Sequence, residues 1–391
     1  MKDETKVQEP ETRKVSRRNM LKAAMVAGGA AALGFPAIVK AQGPITMRWQ
    51  STWPSKDIFH EFALDYAKKV NDMTGGDLKI EVLPAGAVVP AFQLLDAVSK
   101  GTLDGGHGVL VYHYGKQTAL ALFGSSPAYG MDANTLLSWF KYGGGRQLLD
   151  KLYNSIGANV VSFPYGPMPT QPLGWFKKPI TKPDDMKGLK FRTVGISIDL
   201  FTGMGAAVNA LPGGEIVPAM DRGLLDAAEF NNASSDRILG FPDVSKVCML
   251  QSYHQSAEQF EILFNKTKFD ALPAKMKATI EFAVEAASAD MAWKAIDRYS
   301  KDYLEMQTKD KVRFYKTPDS VLQKQLDIFD QVEAKKSAEN PIFKEIAESQ
   351  RQFAARAVKW YLDTQVSSRM AYNHYFAKGA AKPAAPAVKK S

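Results

Sequence analysis

Glu229 ends an apolar run in the stretch RGLLDAAEFNN (222–232), beside Phe230, Asn231 and Asn232. A carboxylate at the end of a buried strand must be solvated, paired or bound to a cation, because desolvating it alone is very costly. Arg192, in DDMKGLKFRTVG (184–195), is a second candidate. A planar guanidinium clamps a carboxylate with two charge-assisted hydrogen bonds, or it forms an ordinary salt bridge at a strand end. Residue type alone leaves both roles open.

Searches for catalytic chemistry return little. The chain has no GxSxG elbow, HExxH, Cys/His cluster or P-loop. His60, His107, His113, His254 and His374 are scattered, with none at metal-ligand spacing. His107 and His113 flank an expected strand end and can line a cleft, although a hydrogen-bonded structural histidine is the simpler reading. GGGR (143–146) lacks the preceding strand of a nucleotide-binding turn. The single cysteine, Cys248 in SKVCMLQ, excludes an intramolecular disulfide and reads as a small buried residue. The pattern leans towards binding. A carboxylate-plus-metal hydrolase or lyase with Glu229 as base stays open, since it needs few residues.

Two segments explain how such residues are positioned. QLLDAVSKGTLDGGH (93–107) aligns without gaps to EIVPAMDRGLLDAAE (215–229). Each copy reads as a helix turn, a basic residue with a glycine stop, and Leu-Asp opening a short strand, which is half of a βαβ unit. Further strands are expected at 45–52, 78–84, 159–166, 171–178, 187–195 and 206–212, with helices over 57–73 and from Ser197. This alternation predicts an α/β protein of two lobes with mainly parallel sheets, and ligands bind beyond the carboxyl ends of such strands. The last third predicts a long helix from Pro273 to Met306, then helices near 318–335, 341–350 and 351–375.

The net charge of +9 belongs largely to the ends of the chain. Residues 1–41 hold eight basic and four acidic residues, so the remainder carries +5, and four lysines after Ala377 reduce the body to about +1. Nothing here calls for a nucleic-acid partner. Ser16 to Lys22 reads as a twin-arginine export pattern. An apolar stretch and the small-residue site Val39-Lys40-Ala41 follow, so 1–41 is expected to be a signal peptide and the protein periplasmic. The segment 377–391 has a low-complexity, disordered composition.

Several motifs carry a family resemblance that spans roughly 45 to 375. DDMKGLKFRTVG (184–195), LPGGEIVPAMDRGLLDAAEF (211–230) and NKTKFDALP (265–273) resemble the DctP-type solute-binding subunits of tripartite ATP-independent periplasmic (TRAP) transporters. The resemblance implies a type II-like periplasmic binding protein with a long C-terminal helical region. Its lobes would be 44–166 with 232–268, and 167–231 with 269–376. The family's carboxylate-binding arginine falls on Arg192. Within the family, the branch that binds 2-oxo acids and lactate with a cation is most similar. It implies Gln171, Glu229 and the Phe230 backbone carbonyl as ligands of sodium or calcium, and Tyr112 as a ligand contact. Trp53, Trp175 and Phe230 are further candidate walls. Phe230 stands where that branch has Trp, and Pro167-Met168-Pro169 where it has small polar residues, so an aromatic or dicarboxylic acid stays open as the ligand. The implied partners are membrane permease subunits, and some relatives dimerise by exchanging a helix.

Overall fold

The computed structural model describes residues 43–377. The expected export signal and the segment after Ala377 lie outside the described residues.

The first sheet forms around β1 (Ile45–Ser51). Asp57 caps α1 (Ile58–Met73) by accepting from the Phe59 amide at 3.1 Å, and the helix buries Phe59, Phe62, Tyr66 and Val70. Gly75 and Gly76, both at positive φ, then reverse the chain into β2 (Leu78–Leu83), parallel to β1. α2 (Leu94–Ser99) leads to β3 (Gly105–Val109), also parallel to β1. α3 (Ala133–Tyr142) precedes β4 (Val160–Met168), and β10 (Glu258–Asn265) completes the order β2-β1-β3-β10-β4.

A second sheet contains β5 (Gly174–Phe176), β6 (Lys190–Arg192), β7 (Ala207–Asn209), β8 (Ala227–Ala228), β9 (Val247–Leu250) and β11 (Arg313–Lys316), in the order β11-β9-β5-β8-β6-β7. Each sheet has one strand antiparallel to both neighbours, β10 in the first and β5 in the second. These are the two strands that arrive from the other sheet: β5 follows β4, and β10 follows β9. The protein is therefore the expected two-lobed α/β molecule, with one reversed strand in each mainly parallel sheet. The connections 169–173 and 251–257 run side by side, the Gln171 amide donating to the Gln255 carbonyl at 3.2 Å.

The repeated segments are a true structural echo. The helix of the second copy is α4 (Gly213–Asp221). Gly101 (φ 77°) and Gly223 (φ 72°) both take left-handed backbone just past a helix end. Asp104 and Asp226 then make the same contacts 122 positions apart. The Asp104 amide donates to the Arg48 carbonyl and its carboxylate accepts from the Arg48 amide; Asp226 does both with Lys190. Each Leu-Asp pair thus clips a new strand to an earlier parallel strand of its sheet, β3 to β1 and β8 to β6. By this offset Glu229 corresponds to His107.

Two expectations need correction. The segment 232–268 does not belong to one lobe, because β9 pairs in the second sheet and only β10 joins the first. After the long helix (α6, Ala274–Thr308; α5 is Ala233–Leu239), α7 (Asp319–Glu339) is followed by one continuous α8 (Pro341–Thr364). No break occurs at 350/351: neither residue is Gly or Pro, and buried Gln350 anchors that turn by donating to the Leu122 carbonyl at 2.8 Å. The chain instead breaks at 365–367, where Ser367 caps α9 (Ser368–Phe376).

Candidate ligand-binding site

Arg192 is the last residue of β6 and Glu229 follows β8, the adjacent parallel strand, so both stand at strand carboxyl ends. Both side chains are fully buried. Arg192 Nη1 donates to Glu229 Oε1 at 2.9 Å and to the Glu229 carbonyl at 3.0 Å, while Nε donates to the Leu211 carbonyl at 2.9 Å. Nη2 has no partner among the described residues, and neither does Glu229 Oε2, which lies 4.0 Å from an equally unpartnered His254 Nε2. The salt bridge and a binding role therefore coexist: one edge of the guanidinium is committed to the protein and one nitrogen is left over.

Gln171 reaches the same place from the 169–173 connection. Its Nε2 donates to Glu258 Oε2 at 2.6 Å, and its Oε1 is buried without a partner. Tyr112, Trp53, Phe230, Gln171 and Arg192 line one cavity of about 10 Å³, room for about one water molecule. The lobes are closed over the site. Burial pushes the Tyr112 hydroxyl up, against the opposing charge of Arg192. Phe230 lies under the guanidinium, 5.8 Å from ring centre to Arg192 Cζ. Gly213 makes room for that ring: a Cβ there would stand 2.6 Å from Phe230 Cε2.

Trp53 is held from behind. Its Nε1 donates to His107 Nδ1 at 2.8 Å, and His107 Nε2 bonds the Tyr165 hydroxyl. Burial lowers the His107 pKa to about 3, so the ring is neutral, with its proton on Nε2. His107 is thus an anchor for a wall residue. Trp175 is not a wall of this cavity. It sits in β5 with Nε1 donating to Asp236 Oδ2 at 2.8 Å and its ring tilted against Phe241, behind the site.

Sequence reasoning missed Glu258 and Gln255 and gave His254 no place at the site. Glu258 lines the cavity and also accepts from Asn231 Nδ2 at 3.3 Å. Burial, and next the charge of Glu229, raise its pKa to about 8. EQFEILFN (258–265) carries a weaker form of the Glu229 signal, two acids in a strand that is buried throughout. Its other acid, Glu261, is satisfied by the Tyr153 and Ser162 hydroxyls.

A family model described as bacterial extracellular solute-binding protein, family 7 (DctP), matches residues 50–340. The chain belongs to this family. A relative from Nostoc sp. (strain PCC 7120), named a monocarboxylate 2-oxoacid-binding periplasmic protein, is 36% identical over 247 residues, 63% of this chain and 67% of that one. A TRAP transporter solute-binding protein from Bordetella bronchiseptica RB50, with copurified calcium and picolinate, superposes with a TM-score of 0.79 at 27% identity, covering 85% of this chain and 97% of that one. One from Pseudoalteromonas atlantica T6c, with sodium and pyruvate, gives 0.78 at 27% identity, covering 85% and 99%. The protein is a TRAP-type solute-binding receptor. No helix of the described residues is long and apolar enough to cross a membrane.

Proposed function

We propose that this protein is a periplasmic, non-enzymatic receptor that captures a 2-oxo acid or 2-hydroxy monocarboxylate together with a cation and delivers it to the permease subunits of a TRAP transporter. The observation that carries this reading is the set of buried, unsatisfied groups at the closed cleft: Arg192 Nη2 as donor, and Gln171 Oε1 and Glu229 Oε2 as acceptors. Buried polar atoms rarely lack partners, and these are the types a carboxylate and a hard cation would satisfy. Among the described residues no cluster of three or more His, Cys, Asp or Glu forms a metal site, so a cation set here draws on amide and backbone oxygens as well. Gln171 Oε1, Glu229 Oε2 and the Phe230 carbonyl would hold it. The cation would supply a positive centre that a bidentate ligand bridges.

Pyruvate and picolinate, the ligands named for the two structural relatives, share one feature. Each offers a carboxylate oxygen and a neighbouring donor, keto oxygen or ring nitrogen, that together chelate one ion. Arg192 Nη2 then fixes the carboxylate, Tyr112 and Phe230 border the remainder, and lobe closure excludes water.

Isothermal titration of pyruvate tests this reading. Arg192→Ala is expected to lower affinity by on the order of 2–5 kcal/mol; an unchanged dissociation constant sinks the clamp. Mass spectrometry should recover the bound acid unchanged, and recovery of a turnover product would argue for the hydrolase or lyase instead.

The C-terminal helices support a homodimer by helix exchange. α9 buries no residue and exposes Met370, Tyr372, Tyr375 and Phe376, so it has an apolar surface with no partner among the described residues. A cavity of about 540 Å³ between α3 and α6, with Leu137, Phe140, Val284 and the exposed Trp293 among its walls and Lys141, Arg146, Glu281 and Glu285 beside them, would be a mixed apolar and charged site for it on a second copy.

A further inference from the structure

We infer that Met168 is the specificity-determining wall of the ligand cavity, a side chain that swings aside to admit 2-oxo acids with an apolar chain longer than the methyl of pyruvate; this rests on the monocarboxylate reading above. The cavity of about 10 Å³ has room for about one water molecule, and even the smallest 2-oxo acid needs several times that room. The room comes from lobes standing further apart, from a wall that gives, or from both. Two walls have space behind them. Met168 also borders a second cavity, of about 530 Å³, and Asn231 a third, of about 440 Å³. Asn231 is tied down: its backbone amide donates to Asp236 at 3.1 Å, its Nδ2 donates to Glu258 at 3.3 Å, and its Oδ1 accepts from Asn232 at 3.0 Å. The Met168 side chain has one such contact among the described residues, its Sδ facing Asn231 Nδ2 at 3.5 Å, and a thioether is a weak acceptor. Trp53 and Arg192 are pinned by the bonds described above, and Val109 and Val194 are stiff at χ1. Met168 is the wall free to move.

The local sequence sets a fixed backbone under that mobile side chain. Met168 ends β4, fully buried and paired with Glu258 of β10. Pro167 and Pro169 lock φ on either side, and Pro169 also restricts Met168 itself. The side chain has three rotatable bonds and a polarisable sulfur that packs against irregular surfaces. The outer cavity offers it Ala133, Ala292 and Ala295, with Asn134, Thr170 and Ser256 polar beside them, and reaches the surface at the exposed Ile296. On the inner side Met168 belongs to one buried apolar cluster with Trp53, Phe59 and Phe230. The space it vacates is therefore apolar, which suits an alkyl or aryl chain and penalises a second carboxylate.

The test is isothermal titration of the full folded chain with pyruvate, 4-methyl-2-oxopentanoate and 2-oxoglutarate, in one buffer containing sodium and calcium chloride, read as ratios of dissociation constants. The wild type is expected to bind 4-methyl-2-oxopentanoate at least as tightly as pyruvate, and about tenfold or more tighter than 2-oxoglutarate, its near-isostere with a charged end. Met168→Ala should shift the ratio about tenfold further towards the longer apolar acid, and Met168→Ile, whose branched Cβ stiffens the wall, about tenfold towards pyruvate. Circular dichroism checks the fold of both variants. Met168→Ile keeps the side-chain volume nearly constant, so it decides the matter if the alanine variant does not fold. A ratio that stays put in Met168→Ile, or moves the same way in both variants, overturns the movable wall. So does a wild type that binds pyruvate and rejects 4-methyl-2-oxopentanoate, and tighter binding of 2-oxoglutarate overturns the apolar class. A wild type that binds none of the three overturns the monocarboxylate reading and this inference with it.

Discussion

At Arg192, two guanidinium nitrogens are already committed inside the protein, and the buried Glu229 carboxylate depends on them. Removing one member of a buried pair strands the other as an uncompensated charge. Arg192→Ala is therefore expected to cost the ligand-free fold on the order of 3–5 kcal/mol in denaturant unfolding, and Arg192→Ala with Glu229→Gln should recover part of that loss. A double variant no more stable than the single one contradicts the pairing. The family resemblance pointed to Arg192, Glu229 and Gln171 through the motifs in which they stand, and the fold brings the three to one place. Glu258 was not legible, because its importance arises from β10 crossing back from the other lobe beside Gln171, a contact spanning 87 residues. Trp175 failed for the opposite reason: a large aromatic next to a motif looks like a wall until the fold gives its indole to Asp236.

The elements around the site are short and tightly constrained. β5 keeps three residues where a strand over 171–178 was expected, because Gln171 leaves the ladder to turn into the cleft and Gly174 begins β5 at φ 139°. A Cβ on Gly174 would stand 2.6 Å from the Ala228 carbonyl, directly before Glu229. Gly174→Ala is expected to destabilise the fold by about 2–4 kcal/mol and to weaken ligand binding; melting and titration on one preparation check both. At α5, which holds Asp236 and whose Ser235 bonds Asp57, burial raises Asp57 to about 6 and Asp236 to about 7 from the usual carboxylate range. Native carboxyls there hold protons that the unfolded chain has released. Their contribution is complete below about pH 4 and is lost as pH rises through 6 to 7. His107 works in reverse: its contribution is present above about pH 6.5 and fades towards 3. Asp57→Asn with Asp236→Asn should therefore flatten the fall in stability between about pH 4 and pH 7 relative to wild type, measured from urea midpoints. A parallel pH dependence in both proteins counts against these two groups.

For the whole molecule, the two-sheet α/β architecture was legible while the bounds of each lobe were not. Alternating strand and helix signals, and the echo between 93–107 and 215–229, specify two similar sheets because local turn chemistry is repeated. Which strand joins which sheet depends on long crossings, so β9 was misassigned. Exposed apolar side chains on α9 mark a surface that its own lobes leave uncovered. A chain ending at Thr364 is expected to run as a monomer in sedimentation where the full chain sediments as a dimer, with pyruvate affinity preserved. Equal sedimentation of the two chains rules out helix exchange.

Gln171 and Gln255 both border the cavity, and both lie within the paired connections that join the lobes. If the lobes turn about these connections, a solute held there sits close to the axis. Near an axis, a small difference in ligand length becomes a large displacement at the distant rims. Two acids that differ by one carbon would leave the lobes at different final angles, so the outer face offered to a permease would carry the length of the cargo as well as its presence.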